Sequence, residues 1–171
     1  MTERKKKFGE EEITVIGEEL KVGDSAPNFK AINNDLSEYD FYKEEEEGKI
    51  KIISVVPSLD TSVCEIQTTK FNKAAADISP DVSIVTISND LPFAQARFCS
   101  AKGIDQVKTV SDYNFLDFAD KYATLIKELK LQNRAVFVVD KENKLVHVEY
   151  LEQNTELPDY KAALEAAKKL V

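Results

Sequence analysis

Three stretches of the chain are apolar at nearly every position rather than at every second one. They are Ile50-Lys51-Ile52-Ile53-Ser54-Val55-Val56, Val82-Ser83-Ile84-Val85-Thr86-Ile87 and Ala135-Val136-Phe137-Val138-Val139. Runs rich in β-branched residues and without alternation suit strands buried on both faces of a sheet. The segments between them carry helical spacing. Phe71, Ala74, Ala75 and Ile78 mark one apolar face of a helix from about Ser62 to Ile78. Further helices are expected from Leu91 to about Ala101, over Phe115–Tyr122, and from Asp159 to Leu170, the last strongly amphipathic.

The remaining segments complete the pattern. Val107–Val110 reads as a short strand, and Leu145–Tyr150 as a hairpin partner of Ala135–Val139 across the turn Asp140–Lys144. Ile13–Val22 reads as a small hairpin turning at Gly17-Glu18, and Glu44–Glu47 as a solvated loop. Asp24–Phe29 is a turn into extended chain, because the residue before Pro27 is pushed away from helix. Strands alternating with helices, then a terminal hairpin and helix, predict an α/β fold. Its expected form is a thioredoxin-like mixed sheet with helices on both faces and an N-terminal β-hairpin extension. A single domain is expected across residues 1–171, with about residues 1–10 as a disordered tail.

Charge and cysteine usage narrow the function classes. The net charge of −8 repels phosphate backbones, so no nucleic-acid partner is expected. Arg4–Lys7 is the one cationic cluster and reads as a frayed, solvated terminus. The acidic Gly9-Glu10-Glu11-Glu12 follows it where a signal peptide would be apolar. No apolar run approaches the roughly 20 residues of a membrane span. A soluble, cytoplasmic protein is expected. Only two cysteines occur, Cys64 and Cys99, 35 positions apart (99 − 64). A zinc site would have to gather both, with His147, from three distant segments lacking local pairing, so no metal is expected.

The turn carrying Cys64 is the chemically informative stretch: Pro57-Ser58-Leu59-Asp60-Thr61-Ser62-Val63-Cys64-Glu65. Pro57 stops a buried strand, capping residues follow, and a helix begins. Ser62 with Glu65 three residues on fits a capping box, which places Cys64 at the second helical position; Thr61 as cap places it at the third. In either case Cys64 lies in the first turn, where free N–H groups and the helix dipole favour a thiolate. Ionisation alone gains about 30-fold at most, because a free thiol is already a few per cent thiolate at neutral pH. Fast chemistry at a thiolate also needs donors that stabilise charge on the leaving group. Thr61 supplies a nearby hydroxyl, and Arg134, at the start of a strand, is a source of fixed forked charge. On helix physics alone, Cys64 can equally be a small core residue after an ordinary capped turn.

The stretch as a whole resembles the peroxiredoxin active site, in which Pro, Thr and Cys recur at fixed spacing, here Pro57, Thr61 and Cys64. Its full string is similar to the thiol peroxidase subfamily, the atypical two-cysteine type. A second block agrees: Asn89-Asp90-Leu91-Pro92-Phe93-Ala94-Gln95-Ala96-Arg97-Phe98-Cys99 resembles that subfamily's resolving-cysteine helix. Val22–Pro27, Arg134-Ala135-Val136 and Pro158-Asp159-Tyr160 match as well.

The resemblance implies that Cys64 is the peroxidatic cysteine and Cys99 the resolving one. Thr61 and Arg134 would hold the peroxide, and Pro57 would shield the sulfenic acid. Peroxide would be the substrate, thioredoxin the reductant, and a homodimer the assembly, with no cofactor. An intramolecular Cys64–Cys99 disulfide would close a loop worth about 4 kcal/mol in chain entropy. Both cysteines fall within expected helices, so one or both turns are expected to unwind first.

Departures from the family pattern are Val56, where Phe is usual, and Gln132 and Asn133, where small or aliphatic residues are usual. Arg97 is a rival to Arg134, and Phe93 and Phe98 read as packing. A thioredoxin-like reductase would need a cysteine where Gln67 stands, and a glutathione-peroxidase-like site a tryptophan that the chain lacks. A redox-inert binding module, or a peroxide sensor sharing the Cys64 chemistry, is the non-enzymatic alternative.

Overall fold

The computed structural model of the chain describes residues 2–44 and 49–171. Its central element is β5 (Ile50–Val55), every residue of which is buried. β5 runs parallel to β6 (Val82–Ser88), and β6 parallel to β7 (Lys108–Ser111). Parallel neighbours require crossovers, and these are α2 (Ser62–Asp77) and α3 (Pro92–Lys102). On the other side, β9 (Ala135–Val139) lies antiparallel to β5 and hairpins with β10 (Leu145–Tyr150). β3 (Lys30–Ile32) and β4 (Glu38–Asp40) complete a seven-stranded mixed sheet of order β10-β9-β5-β6-β7-β3-β4.

The pleat sends successive side chains to opposite faces. Ile50, Ile52, Val136 and Val138 enter one core, which also holds Cys64 and Phe71 of α2 and Ala163 and Ala167 of α5 (Tyr160–Lys168). Ile53, Val55, Ala135 and Phe137 enter the other. That second core is aromatic: Phe29, Phe41, Phe118 and Tyr122 pack there, with Phe118 and Tyr122 stacked at 4.2 Å between centroids. Its helices are α1 (Phe41–Glu44) and α4 (Asp117–Lys121). Helices therefore cover both faces, as the unbroken apolar runs require. The expected acidic loop begins inside α1 at Glu44, and its remainder, 45–47, lies outside the described residues.

The N-terminus departs from expectation twice. The tail expected over residues 1–10 is instead β1 (Glu3–Phe8), paired antiparallel with β2 (Glu11–Ile16). β2 pairs antiparallel with β8 (Leu125–Ile126) on its other side, making a separate three-stranded sheet. The basic run is held because acids face it. Lys6, nearly buried, meets Glu19 at 2.9 Å and Glu152 at 2.5 Å, and Arg4 meets Glu19 at 3.2 Å. The hairpin also turns at Gly9-Glu10, not at Gly17-Glu18. Gly9 has φ +68, which suits a two-residue hairpin loop. Gly17 serves close approach: a Cβ there would sit 2.9 Å from Ala123 Cβ.

Candidate active site

α2 begins at Ser62 with Thr61 as its N-cap, which makes Cys64 the third helical residue. The expected capping box does not form. The Thr61 hydroxyl donates to the Ser58 carbonyl at 3.0 Å, and the Glu65 carboxylate pairs with Lys102 at 3.1 Å. No side chain caps the start of the helix, so its dipole end faces the site without a competing acceptor. The loop before it is anchored by Asp90, which accepts from Ser58 Oγ at 2.7 Å, Leu59 N at 2.8 Å and Ser88 Oγ at 2.8 Å. Pro57 is buried directly after β5, whereas Thr61 is exposed.

Cys64 lies on the buried stripe of α2, Cys64, Gln67, Thr68 and Phe71, spaced as one helix face. Two polar residues within that stripe are unusual for a face packed on a sheet. Both are satisfied. Gln67 Nε2 donates to Ser54 Oγ on β5 at 2.7 Å, and Thr68 Oγ1 to the Cys64 carbonyl at 2.9 Å.

Arg134 immediately precedes β9, and alternation puts it on the face of Val136 and Val138, the face that α2 covers. Arg134 is 1% exposed, and each of its three guanidinium nitrogens donates a hydrogen bond. Nη2 donates to Cys64 Sγ at 3.1 Å, Nη1 to Gln67 Oε1 at 2.8 Å, and Nε to the Asn154 carbonyl at 3.0 Å. The rival Arg97 is exposed on the outer side of α3, away from this cluster.

The segment before Arg134 is a buried polar network rather than an apolar approach. Gln132 Nε2 donates to Asn89 Oδ1 at 2.9 Å and to Asp112 Oδ2 at 2.8 Å. Asn154 Nδ2 donates to Asn133 Oδ1 at 2.9 Å. Burial raises the Asp112 carboxyl from its ordinary 3.8 to about 6, against the Ala119 and Phe118 N–H groups and Gln132, which act to lower it. The folded state therefore prefers protonated Asp112. That contribution to stability is fully present below about pH 3.8 and is lost as the pH rises through about 6. Asp112→Asn does not titrate, so the stability of the native protein minus that of the variant should fall by up to about 3 kcal/mol over this range. Urea unfolding of both proteins across that interval checks it; a constant difference would contradict the assignment.

Cys99 sits near the end of α3, half-buried, with Sγ 3.5 Å from Thr109 Oγ1. Burial pushes its thiol up, partly offset by Thr109. It opens onto a groove of about 560 Å³ that Asn34, Ile104, Lys108 and Thr109 also line. Both cysteines are free. Phe98 packs as expected, but Phe93 is 64% exposed. On α3 the inward positions are Pro92, Gln95 and Phe98, which turns Phe93 outward. The fold thus brings Cys64 and Arg134 together, leaves Pro57 buried in the turn before α2, and keeps Cys99 on the neighbouring helix. Gln67, Asn154 and Asp90 are participants the sequence reading did not assign. Gln67 had a signal, a polar residue one turn after Cys64 on the apolar face; Asn154 had none.

Known proteins are similar to this chain in sequence and in fold. Residues 21–164 match the family model described as Redoxin. A thiol peroxidase of Oceanobacillus iheyensis is 51% identical over 92% of this chain and 94% of its own length. A thiol peroxidase of Bacillus subtilis is 48% identical over 93% of each. Among solved structures, a peroxiredoxin-like protein from Aquifex aeolicus superposes with a TM-score of 0.89 at 37% identity, covering 98% of both chains. A thiol peroxidase from Chromobacterium violaceum, at 21% identity and a TM-score of 0.84 over 96% of this chain and 95% of its own, shares the fold. Sequence and fold together show that the chain belongs to the Redoxin family, in its thiol peroxidase branch of the peroxiredoxins.

Proposed function

We propose that this thiol-dependent peroxidase reduces hydrogen peroxide and organic hydroperoxides through Cys64, resolves the product with Cys99, and is recycled by thioredoxin. The observation that carries the reading is the 3.1 Å contact from Arg134 Nη2 to Cys64 Sγ in a water-poor site. A fixed forked donor beside the sulfur, in low dielectric, acts strongly on charge that develops during reaction. The thiolate attacks one peroxide oxygen; the S–O bond forms, the O–O bond breaks, and the departing oxygen takes a proton to leave as water or an alcohol. Cys64 is left as sulfenic acid. The open first turn of α2, with Thr61 at its edge, is the place to receive the peroxide, and buried Pro57 excludes water from the sulfur.

The Cys99 thiol then attacks the sulfenic sulfur, forming the S–S bond and releasing water. A dithiol reductant of the thioredoxin type restores both thiols by exchange. Cys64 is held by Arg134 inside the core and Cys99 rests against Thr109 within α3. A disulfide needs α-carbons roughly 4.4–6.8 Å apart, so opening of the first turn of α2, the end of α3, or both belongs to the cycle. Free cysteines suit a reducing, cytoplasmic setting. Among the described residues, no helix is long and apolar enough to cross a membrane. A homodimer accords with the exposed Leu91 and Phe93 at the start of α3 and Tyr113 and Phe115 in the loop after β7, two segments linked by the Ser111 Oγ to Asp90 carbonyl bond.

The test is Cys99→Ser. It should consume one equivalent of peroxide, hold a Cys64 sulfenic acid that dimedone traps, and lose turnover with thioredoxin. Thioredoxin-dependent turnover at the native rate in this variant would rule out the resolving role.

A further inference from the structure

We infer that Asn154 is a positioning residue for Arg134 and that strand β1 holds it in place. The inference rests on the reading of Arg134 as the group that activates Cys64. An arginine side chain is long, and its fork acts on a single sulfur only if its other donors are fixed. Gln67 fixes Nη1. Asn154 fixes the rest: its carbonyl accepts from Nε at 3.0 Å, and its side-chain oxygen accepts from the Arg134 backbone N–H at 2.6 Å. One residue thus grips Arg134 at both its backbone and its guanidinium.

Asn154 is fully buried and is itself immobilised from the N-terminal hairpin. Its backbone N–H donates to the Lys7 carbonyl at 2.9 Å, and its side-chain Nδ2 donates to the same carbonyl at 3.1 Å. The Lys7 N–H donates to the Glu152 carbonyl at 2.8 Å. Next door, Gln153 and Gly9 exchange two bonds, at 2.8 and 3.0 Å. The outer edge of β1 is therefore zipped to residues 152–154. A hairpin distant in sequence from both cysteines reaches Cys64 through only two side chains, Asn154 and Arg134. The sequence gives no reason for a catalytic chain to carry this hairpin; the bond path supplies one.

The test uses the full chain in a Cys99→Ser background, so that Cys64 alone reports. Two readouts are taken: the second-order rate constant for hydrogen peroxide, and the pH profile of Cys64 alkylation by iodoacetamide. Asn154→Ala keeps the carbonyl bonded to Nε but removes the side-chain bonds to Arg134 N–H, Lys7 and Asn133; it should slow peroxide reaction about tenfold, the scale of one net hydrogen bond, and move the alkylation profile to higher pH. Asn154→Ser, whose hydroxyl can still accept from Arg134, should recover part of both. In an Arg134→Lys background, Asn154→Ala should cost less than about twofold more, because coupled residues are non-additive. A native rate and profile in Asn154→Ala, or the full loss repeated in the Arg134→Lys background, would overturn the inference while leaving the peroxidase reading intact. A native rate in Arg134→Lys alone would instead overturn the role of Arg134 on which the inference rests. Should Asn154→Ala fail to fold, Asn154→Ser and Lys7→Pro, which removes the N–H bound to Glu152, carry the same expectation of intermediate slowing.

Discussion

Cys64→Ser is expected to lower peroxide consumption to the uncatalysed background while the protein stays folded. The two side chains differ by one atom of similar size in a fully buried position. A serine hydroxyl can still accept from Arg134 Nη2, so the guanidinium keeps a partner and the stability change should stay near 1 kcal/mol. What disappears is the chemistry. An alcohol is scarcely ionised at neutral pH and has no accessible counterpart of the sulfenic acid. Peroxide consumption and urea unfolding on the same preparation separate the two effects. A residual rate within about tenfold of native would mean that another group carries the reaction.

Arg134→Ala is expected to be damaging twice over. Removing a donor aimed at a reacting centre costs about 10²–10³ in rate. Stability should fall as well, by about 3–5 kcal/mol, because truncation leaves buried acceptors on Gln67 and Asn154 without their partner and opens a cavity. Arg97→Ala provides the contrast. That residue is exposed on α3, and its loss should change stability by no more than about 0.5 kcal/mol. Equal effects of the two substitutions would argue against a specific role for Arg134.

The parts of this architecture that the sequence made legible are those where hydrophobic pattern decides the outcome. β5, β6 and β9 could be read because burial on both faces leaves near-continuous apolar runs. α2 and α3 could be read to within about a residue because Phe71 and Phe98 sit at helical spacing from their neighbours. The N-terminal hairpin was misplaced because a lysine-rich strand has no apolar period. Its strand state depends on Glu19 and Glu152, whose proximity only the fold creates.

The site divides in the same way. Cys64, Pro57 and Thr61 lie in one local string, and Cys99 in another, so the resemblance of those strings to the peroxiredoxin pattern marked them. Arg134 was reachable because it begins an expected strand and its Arg134-Ala135-Val136 string resembles the family, whereas Arg97 lies beside Cys99 on the α3 helix. Thr61 was expected to face the sulfur, yet here its hydroxyl is turned to the Ser58 carbonyl, a choice between local acceptors that sequence does not decide. Asp90 and Asn154 act through hydrogen bonds spanning 31 and 20 positions, and no local pattern encodes such partners. Gln132 and Asn133 looked like departures that weaken the Arg134 assignment. In the folded protein they belong to the buried network beside it, Asn133 bonding to the Arg134 carbonyl at 3.2 Å.

The central claim is that two thiols in this chain form one redox pair driven by peroxide. Intact mass and a free-thiol count on the native protein, before and after one equivalent of hydrogen peroxide, test it most directly. The account predicts loss of both thiols with a decrease of about 2 Da, the two hydrogens of an intramolecular disulfide. Two free thiols at unchanged mass, or a disulfide found only between separate chains, would contradict it.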